Sequence, residues 1–83
     1  MNWQEVLNHG RADAEAHRQQ AVLERASAAG YARKAKTAPD TDSEVLWLMR
    51  APQQRSAAVS SDAASEISDR IADHAERVLH PTP

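Results

Sequence analysis

The sequence contains no cysteine and no phenylalanine, and it has only two glycines. Without cysteine, disulfides, thiolate metal sites and cysteine nucleophiles are all excluded. No apolar run reaches the 18 residues that indicate a membrane-spanning helix. The first five residues, Met1–Glu5, lack the basic stretch followed by an apolar one that is typical of a secretory signal. We therefore expect a cytoplasmic protein.

Large apolar side chains are also scarce. Leu, Val and Ile together supply 12 of the 83 residues, whereas Ala supplies 17. Alanine favours helices but buries little area, and residues 1–83 form one domain at most. A core this small is typically completed by a second copy or a partner, so we expect oligomerisation, most simply a homodimer, or a partner protein. Abundant Ala and Arg favour a bacterial or phage origin.

Charge is unevenly distributed along the chain. Residues 1–39 carry six Lys and Arg against four acids, which gives +2, and residues 40–83 carry four Arg against eight acids, which gives −4. The two halves can attract each other within one chain or between chains. The densest basic cluster, Arg33, Lys34 and Lys36, is a candidate contact for phosphates or for an acidic protein surface.

The first helix is predicted to begin after Asn2, a favoured N-cap residue with Glu5 three positions later. Residues 3, 7, 10, 14, 17, 21, 24, 28, 31 and 35 follow the alternating three- and four-residue spacing of a coiled coil. Gly10 in this row is either a point of close helix approach or a tolerated surface glycine. Gly30 resembles a helix C-terminal glycine, yet the residues after it favour helix, so the end is expected between 29 and 36.

A second, short helix is predicted over about 42–50, after a linker at 38–41. Thr41 and Glu44 have the spacing of a capping box, which favours a helix over a strand for the apolar run Val45–Met49. Pro52 is expected to limit this helix.

A third, amphipathic helix is predicted to end at Leu79, before Pro81 and a flexible tail at 80–83. It begins either at Pro52 or at one of residues 60–62, and its apolar row follows positions 57, 60, 64, 67, 71, 74 and 78. The expected fold is thus all-α: a small helical hairpin, or a three-helix arrangement of long, short apolar and amphipathic helices.

No enzyme is expected, because so few large side chains can wall a substrate pocket. Asp73 and His74 have the residue types of acid–base catalysis, but ion pairs of Asp73 with Arg77 and of Glu66 with Arg70 explain this charged helix better.

No metal or other cofactor is expected either. His9, Asp13 and His17 have metal-ligating side chains on one helical ridge. However, His9 and His17 lie about 12 Å apart along the axis, too far to bind one ion together.

The apolar helix is the principal candidate for a partner-binding site. Its residues are Val45, Leu46, Trp47, Leu48, Met49 and Arg50, and Trp and Arg are enriched at binding hot spots. Either this helix is the monomer core or it forms an interface. The favoured function is a non-enzymatic protein–protein interaction module. It would be a small regulator, adaptor or inhibitor, phage- or mobile-element-encoded, that occludes a surface of a larger protein. The alternatives are a nucleic-acid-associated accessory protein and a self-assembling structural subunit.

Overall fold

The computed structural model describes residues 1–82 and forms a helical hairpin. Helix α1 spans Trp3–Lys36 and helix α2 spans Thr41–Leu79. A short connection over 37–40 reverses the chain, so the two helices pack antiparallel along a hairpin 64 Å long and 18 by 15 Å across. The part of the chain described contains no strand. The all-α prediction and its hairpin alternative are confirmed.

Helix α1 begins as predicted and ends at the far limit of the expected range. The Asn2 side-chain oxygen accepts hydrogen bonds from the backbone N–H groups of Gln4 and Glu5, at 3.1 and 3.2 Å. The helix continues through Gly30, whose φ is not positive, so Gly30 is not a C-terminal helix signal. Three basic residues occupy the last turn, where cations stabilise the helix dipole.

Helix α2 is one continuous helix, so the predicted break near Pro52 is wrong and the three-helix alternative is not formed. Proline lacks an N–H and its ring crowds the carbonyl of Leu48, one turn before it, which costs about 3 kcal/mol in a helix. The helix continues because residues on both sides of Pro52, including Trp47 and Ala58, pack along α1. A long continuous partner helix therefore outweighs the local preference for a break.

The N-cap of α2 is also one residue earlier than predicted. The Asp40 carboxylate accepts a hydrogen bond from the Ser43 backbone N–H at 2.7 Å, and Thr41 already belongs to the helix. Both residue types are good caps, and Asp adds a negative charge where the helix dipole favours one.

The helices are in contact through rows of small residues that recur every seven positions. On α1 the buried row is Ala14, Ala21, Ala28 and Ala35, continued towards the N-terminus by Leu7. On α2 it is Ala51, Ala58, Ser65 and Ala72. No large side chain in residues 1–82 is fully buried. The row predicted on the first helix is therefore confirmed, and its small residues permit close helix approach.

The apolar row predicted on the last helix is wrong by one position. The structure buries residues 51, 58, 65, 72 and 75, and it leaves Ile67, Ile71 and Val78 exposed. Burying the isoleucines would separate the helix backbones. The observed rotation instead lets alanine meet alanine and brings side chains of opposite charge together.

Along one side of the hairpin, arginines of α1 meet aspartates of α2. Arg11 contacts Asp73 at 3.0 Å, Arg18 contacts Asp69 at 2.9 Å, and Arg25 is paired with Asp62. The arginines are seven residues apart, as are Asp62 and Asp69, so the pairing repeats with the alanine rows. We call this set the ion-pair ladder. It shows that the oppositely charged halves interact within one chain. Asp73 pairs with Arg11 across the hairpin, whereas the sequence analysis paired it with Arg77 on the same helix.

Candidate functional site

The closed end of the hairpin, residues 31–50, carries all of the residues predicted to bind a partner. There the rings of Tyr31 on α1 and Trp47 on α2 stack with centroids 5.5 Å apart and planes 14° from parallel. The Lys34 ammonium lies 4.6 Å from the Trp47 ring centroid, and the Arg50 guanidinium lies 5.3 Å from it. Two cations thus lie close to one indole ring, a geometry that cation–π attraction stabilises.

The helical repeat explains why these aromatic rings meet. Tyr31 lies four residues before the buried Ala35, and Trp47 lies four residues before the buried Ala51. Both therefore occupy the inner row of their helix, where small residues pack elsewhere. Large rings in this row stack on each other and remain half-buried at the end of the hairpin.

The aliphatic residues around Trp47 point outward. Val45, Leu46, Leu48 and Met49 are all exposed, with Leu48 and Met49 leaving 51% and 60% of their surface accessible. Of the predicted run, Trp47 is the residue that is half-buried and stacks on a ring of α1. The segment is thus not the core of the monomer, and it presents a mostly apolar surface on the first two turns of α2.

The electrostatics of the closed end are mixed. Asp40, Asp42 and Glu44 surround the start of α2, and the last turn of α1 is basic. The pKa of Asp40 is lowered, chiefly because its carboxylate accepts the Ser43 backbone N–H. A charged carboxylate therefore caps the helix at neutral pH.

The three predicted basic contacts do not share one face. At about 100° per residue, Arg33 and Lys36 lie on neighbouring sides of α1, whereas Lys34 is turned far from Lys36. Lys34 is engaged with Trp47 and Tyr31. Only Arg33 and Lys36 form a common outward surface.

The open end of the hairpin has a second aromatic contact, which was not predicted from the sequence. The Trp3 and His74 rings meet edge to face, with centroids 5.2 Å apart. Beside them lies a shallow cleft of about 430 Å³, lined by Met1, Trp3, Val6, Arg70, Ile71 and His74. Trp3 and Leu79 pack on the buried Leu7, Ala72 and Ala75, which closes the hairpin at this end. The packing at this end could have been predicted from the sequence, because Leu7 and Leu79 continue the seven-residue alanine rows.

Another shallow cleft, of about 400 Å³, lies midway along the ion-pair side. Its lining residues are Arg25, Ala28, Ala29, Arg55 and Val59. It brings two arginines beside small apolar side chains, without a nucleophile or a carboxylate among them.

The three residues considered as metal ligands, His9, Asp13 and His17, differ in burial. His17 lies half-buried in the inner row of α1, and His9 and Asp13 are exposed. Within residues 1–82, no group of three or more His, Asp and Glu side chains is arranged to hold a metal ion.

Neither helix, over the described residues, is both long and apolar enough to cross a membrane. Comparison of the chain with protein-family models, with curated proteins and with solved structures finds no match. The geometry of the hairpin is accordingly the basis for assigning a function to this chain.

Proposed function

We propose that the chain is a non-enzymatic protein–protein interaction module that docks another protein on its closed end. It would act as a small regulator, adaptor or inhibitor, by occluding the surface of the partner that it covers. The observation that carries this proposal is the cluster in which Trp47 stacks on Tyr31 with Lys34 and Arg50 close to the Trp47 ring, bordered by exposed aliphatic residues.

The chemistry of this cluster matches that of binding hot spots. Trp, Tyr and Arg are enriched at such sites, and a half-buried, pre-positioned ring loses little side-chain entropy on binding. Leu48 and Met49 supply apolar area beside it, and methionine adapts its shape to a partner. A partner with an apolar groove and an acidic rim would complement the aliphatic residues and the two cations.

The test is affinity purification of the tagged chain from the cells that produce it. Leu48→Asp and Met49→Asp introduce charge at exposed positions, so the hairpin keeps its fold. We expect the unmodified chain to recover one partner in near-stoichiometric amount and the two variants to lose it. Val22→Asp, at an exposed apolar position in the middle of α1, is the matched control and is expected to retain the partner.

With the purified partner, titration calorimetry gives the size of the effect. Trp47→Ala is expected to weaken binding by about 30-fold, which corresponds to about 2 kcal/mol at a hot spot. Circular dichroism of the variant accompanies the titration, because Trp47 also stacks on Tyr31. Equal recovery of the partner by the wild type, Leu48→Asp and Met49→Asp would exclude docking on the closed end.

Association with nucleic acid is the alternative function, and Arg33 and Lys36 supply its basic surface. It predicts binding that weakens steeply with salt. Reversing both charges would abolish such binding, whereas Leu48→Asp would leave it unchanged.

A further inference from the structure

The arginines on the ladder side are less completely neutralised the closer they lie to the closed end. Arg11 and Arg18 each pair with two carboxylates. Arg25 pairs with one, that of Asp62. Arg55, the next arginine on this side, forms no ion pair with any of residues 1–82. The ion-pair ladder therefore ends on a cation whose charge is not balanced within the hairpin.

A change of residue type within the seven-residue repeat of α2 explains this unbalanced cation. Asp69 and Asp62 supply carboxylates to the ladder, and Arg55 lies seven residues before Asp62. Residues seven apart lie on nearly the same side of a helix, so Arg55 occupies the position where the repeat would place another acid. Opposite it, α1 presents Ala28 and Ala29. Neither helix thus offers a carboxylate at this position.

Arg25 and Arg55 line the shallow cleft of about 400 Å³ on the ladder side, which we call the arginine cleft. A guanidinium has five N–H donors in a planar fork that matches the two oxygens of a carboxylate. Arg25 donates to Asp62 through Nη2, which leaves its other donors for a ligand. The rest of the lining is apolar and consists of Ala28, Ala29 and Val59.

The surrounding charges favour a ligand with a single negative charge. Asp62 is paired with Arg25, and Glu24 accepts a hydrogen bond from the Ser61 hydroxyl at 2.6 Å. These two acids lie close to the arginine cleft, and they repel a dianion such as phosphate more strongly than a monoanion. A carboxylate is also the group with which the other arginines of the ladder pair.

The arginine cleft lies on the same flank of α2 as part of the closed-end surface. Leu48 is seven residues before Arg55, about 10 Å along the helix axis, and it is 51% exposed. A protein that covers Leu48 therefore extends to the cleft with one or two further side chains. An open, shallow cleft is accessible to a side chain that projects from such a protein.

We propose that the arginine cleft binds the carboxylate of an Asp or Glu side chain of the docked protein. The guanidinium groups of Arg25 and Arg55 donate to the carboxylate, and the aliphatic stem of the acid contacts Ala29 and Val59. The ion-pair ladder is thereby continued between two proteins. That the carboxylate belongs to a docked protein rests on the function proposed above, whereas the affinity of the cleft for a carboxylate does not.

The first experiment titrates the purified chain with the blocked tripeptide acetyl-Leu-Glu-Leu-amide and follows the arginine Nε–Hε resonances by nuclear magnetic resonance. We expect the Arg25 and Arg55 resonances to shift along one saturable curve. The glutamine analogue, acetyl-Leu-Gln-Leu-amide, is expected to leave them in place. Raising NaCl from about 20 to about 200 mM should weaken binding of the acidic peptide, because exposed charges are screened.

Variants locate the binding site. Arg55→Gln removes the charge at an exposed position and is expected to weaken binding of the acidic peptide about fivefold. Arg77→Gln is the matched control, because Arg77 also lies on α2 without an ion pair in residues 1–82 but at the open end. This control is expected to bind the peptide like the wild type.

The second experiment supplies the missing carboxylate within the chain. Ala29 is exposed and lines the cleft, so Ala29→Glu places an acid beside both arginines. We expect this variant to lose binding of the acidic peptide. Ala29→Gln has a side chain of the same shape without the charge, and it is expected to retain binding. Circular dichroism confirms that both variants are helical.

Each outcome decides the proposal. Equal binding of the glutamate and glutamine peptides overturns the carboxylate. An equal loss in Arg55→Gln and Arg77→Gln, or full affinity in Ala29→Glu, overturns the location. Tighter binding of inorganic phosphate than of the acidic peptide overturns the monoanion and favours the nucleic-acid alternative.

The result is separable from that for the closed-end site. If the acidic peptide binds as expected but Leu48→Asp and Met49→Asp still recover the partner, closed-end docking fails and the carboxylate affinity of the cleft stands. If those two variants lose the partner but the peptide shifts neither arginine, the docking stands and the cleft assignment fails. With a purified partner, Arg55→Gln is expected to weaken binding about fivefold, and unchanged affinity would remove the cleft from the interface.

Discussion

Gly10 of α1 lies directly against Ala72 of α2. A Cβ atom placed on Gly10 would lie 3.0 Å from the Ala72 Cβ, 3.1 Å from the Ser68 carbonyl oxygen and 3.3 Å from the Ala72 backbone nitrogen. Two of these neighbours are backbone atoms, which cannot move without shifting α2. Gly10 is thus a point of close helix approach, which was one of the two alternatives considered from the sequence.

Replacing Gly10 by alanine is expected to destabilise the hairpin. Alanine gains about 1 kcal/mol in helix propensity, but overpacking typically costs 1–3 kcal/mol and here involves backbone atoms. We expect a net loss of about 1 kcal/mol, which lowers the thermal midpoint by roughly 4–8 °C in a domain of this size. Thermal denaturation, monitored by circular dichroism, measures this shift of the midpoint.

Gly30→Ala is the matched control and is expected to have the opposite effect. A Cβ at Gly30 would meet only the Arg33 guanidinium, at 3.8 Å, which is an ordinary contact. The helix propensity gain of roughly 0.5–1 kcal/mol is then retained. If both substitutions raised the midpoint equally, the close approach at Gly10 would be contradicted.

Pro52→Ala is expected to stabilise the protein. It restores a backbone N–H that can donate to the Leu48 carbonyl and removes the ring that crowds this carbonyl. We expect a gain on the order of 2–3 kcal/mol in the free energy of unfolding, measured by urea denaturation. Unchanged or lower stability would mean that α2 does not continue through position 52 in solution. Ala51→Pro, at a buried position of the same helix, serves as the destabilising control.

Charge reversal tests the ion-pair ladder. The variant with Arg11, Arg18 and Arg25 all replaced by Glu places like charges together and is expected to lower the thermal midpoint. Combining these changes with Asp62→Arg, Asp69→Arg and Asp73→Arg restores opposite charges. The combined variant is expected to recover most of the lost thermal stability. The pairs are about half-exposed, so the difference between the two variants should shrink in 0.5 M salt. A combined variant no more stable than the first would contradict the observed register.

Acid is expected to weaken the cap of α2. The pKa of Asp40 is lowered in the folded state by the hydrogen bond from the Ser43 backbone N–H. Its contribution is therefore fully present above the unfolded pKa of Asp and is lost as the pH falls through the lower folded value. Asp40→Asn keeps a good cap without a titrating group, so its stability should fall less between pH 5 and 2 than that of the wild type.

The corresponding measurement is a series of thermal melts across that range of pH. Asp42→Asn, in the first turn of α2, provides a carboxylate control near the same helix end. If the wild type and Asp40→Asn lost stability in parallel, the charged cap would have no part in acid sensitivity.

Much of the local structure was predictable from the sequence, because caps and helical periodicity act over a few residues. Asn2 begins α1 as predicted, and the buried row from Leu7 to Ala35 follows the expected spacing. The apolar residues 45–49 were correctly assigned to a helix because the acidic first turn and the nearby cap disfavour a strand. The choice between core and interface for that segment stayed open, since it depends on where α1 lies.

Two properties of α2, its rotation about its own axis and its continuity through Pro52, were decided only by the tertiary structure. Hydrophobicity favours burying Ile67 and Ile71, yet the hairpin buries Ala58, Ser65 and Ala72. Small residues let the backbones approach closely, and this rotation also aligns aspartates with the arginines of α1. Likewise, Pro52 opposes a helix locally, but packing along a 34-residue partner helix outweighs it. These gains exist only once two distant segments meet, so composition and periodicity determined that the chain is helical, and the contact between the helices determined which face is buried.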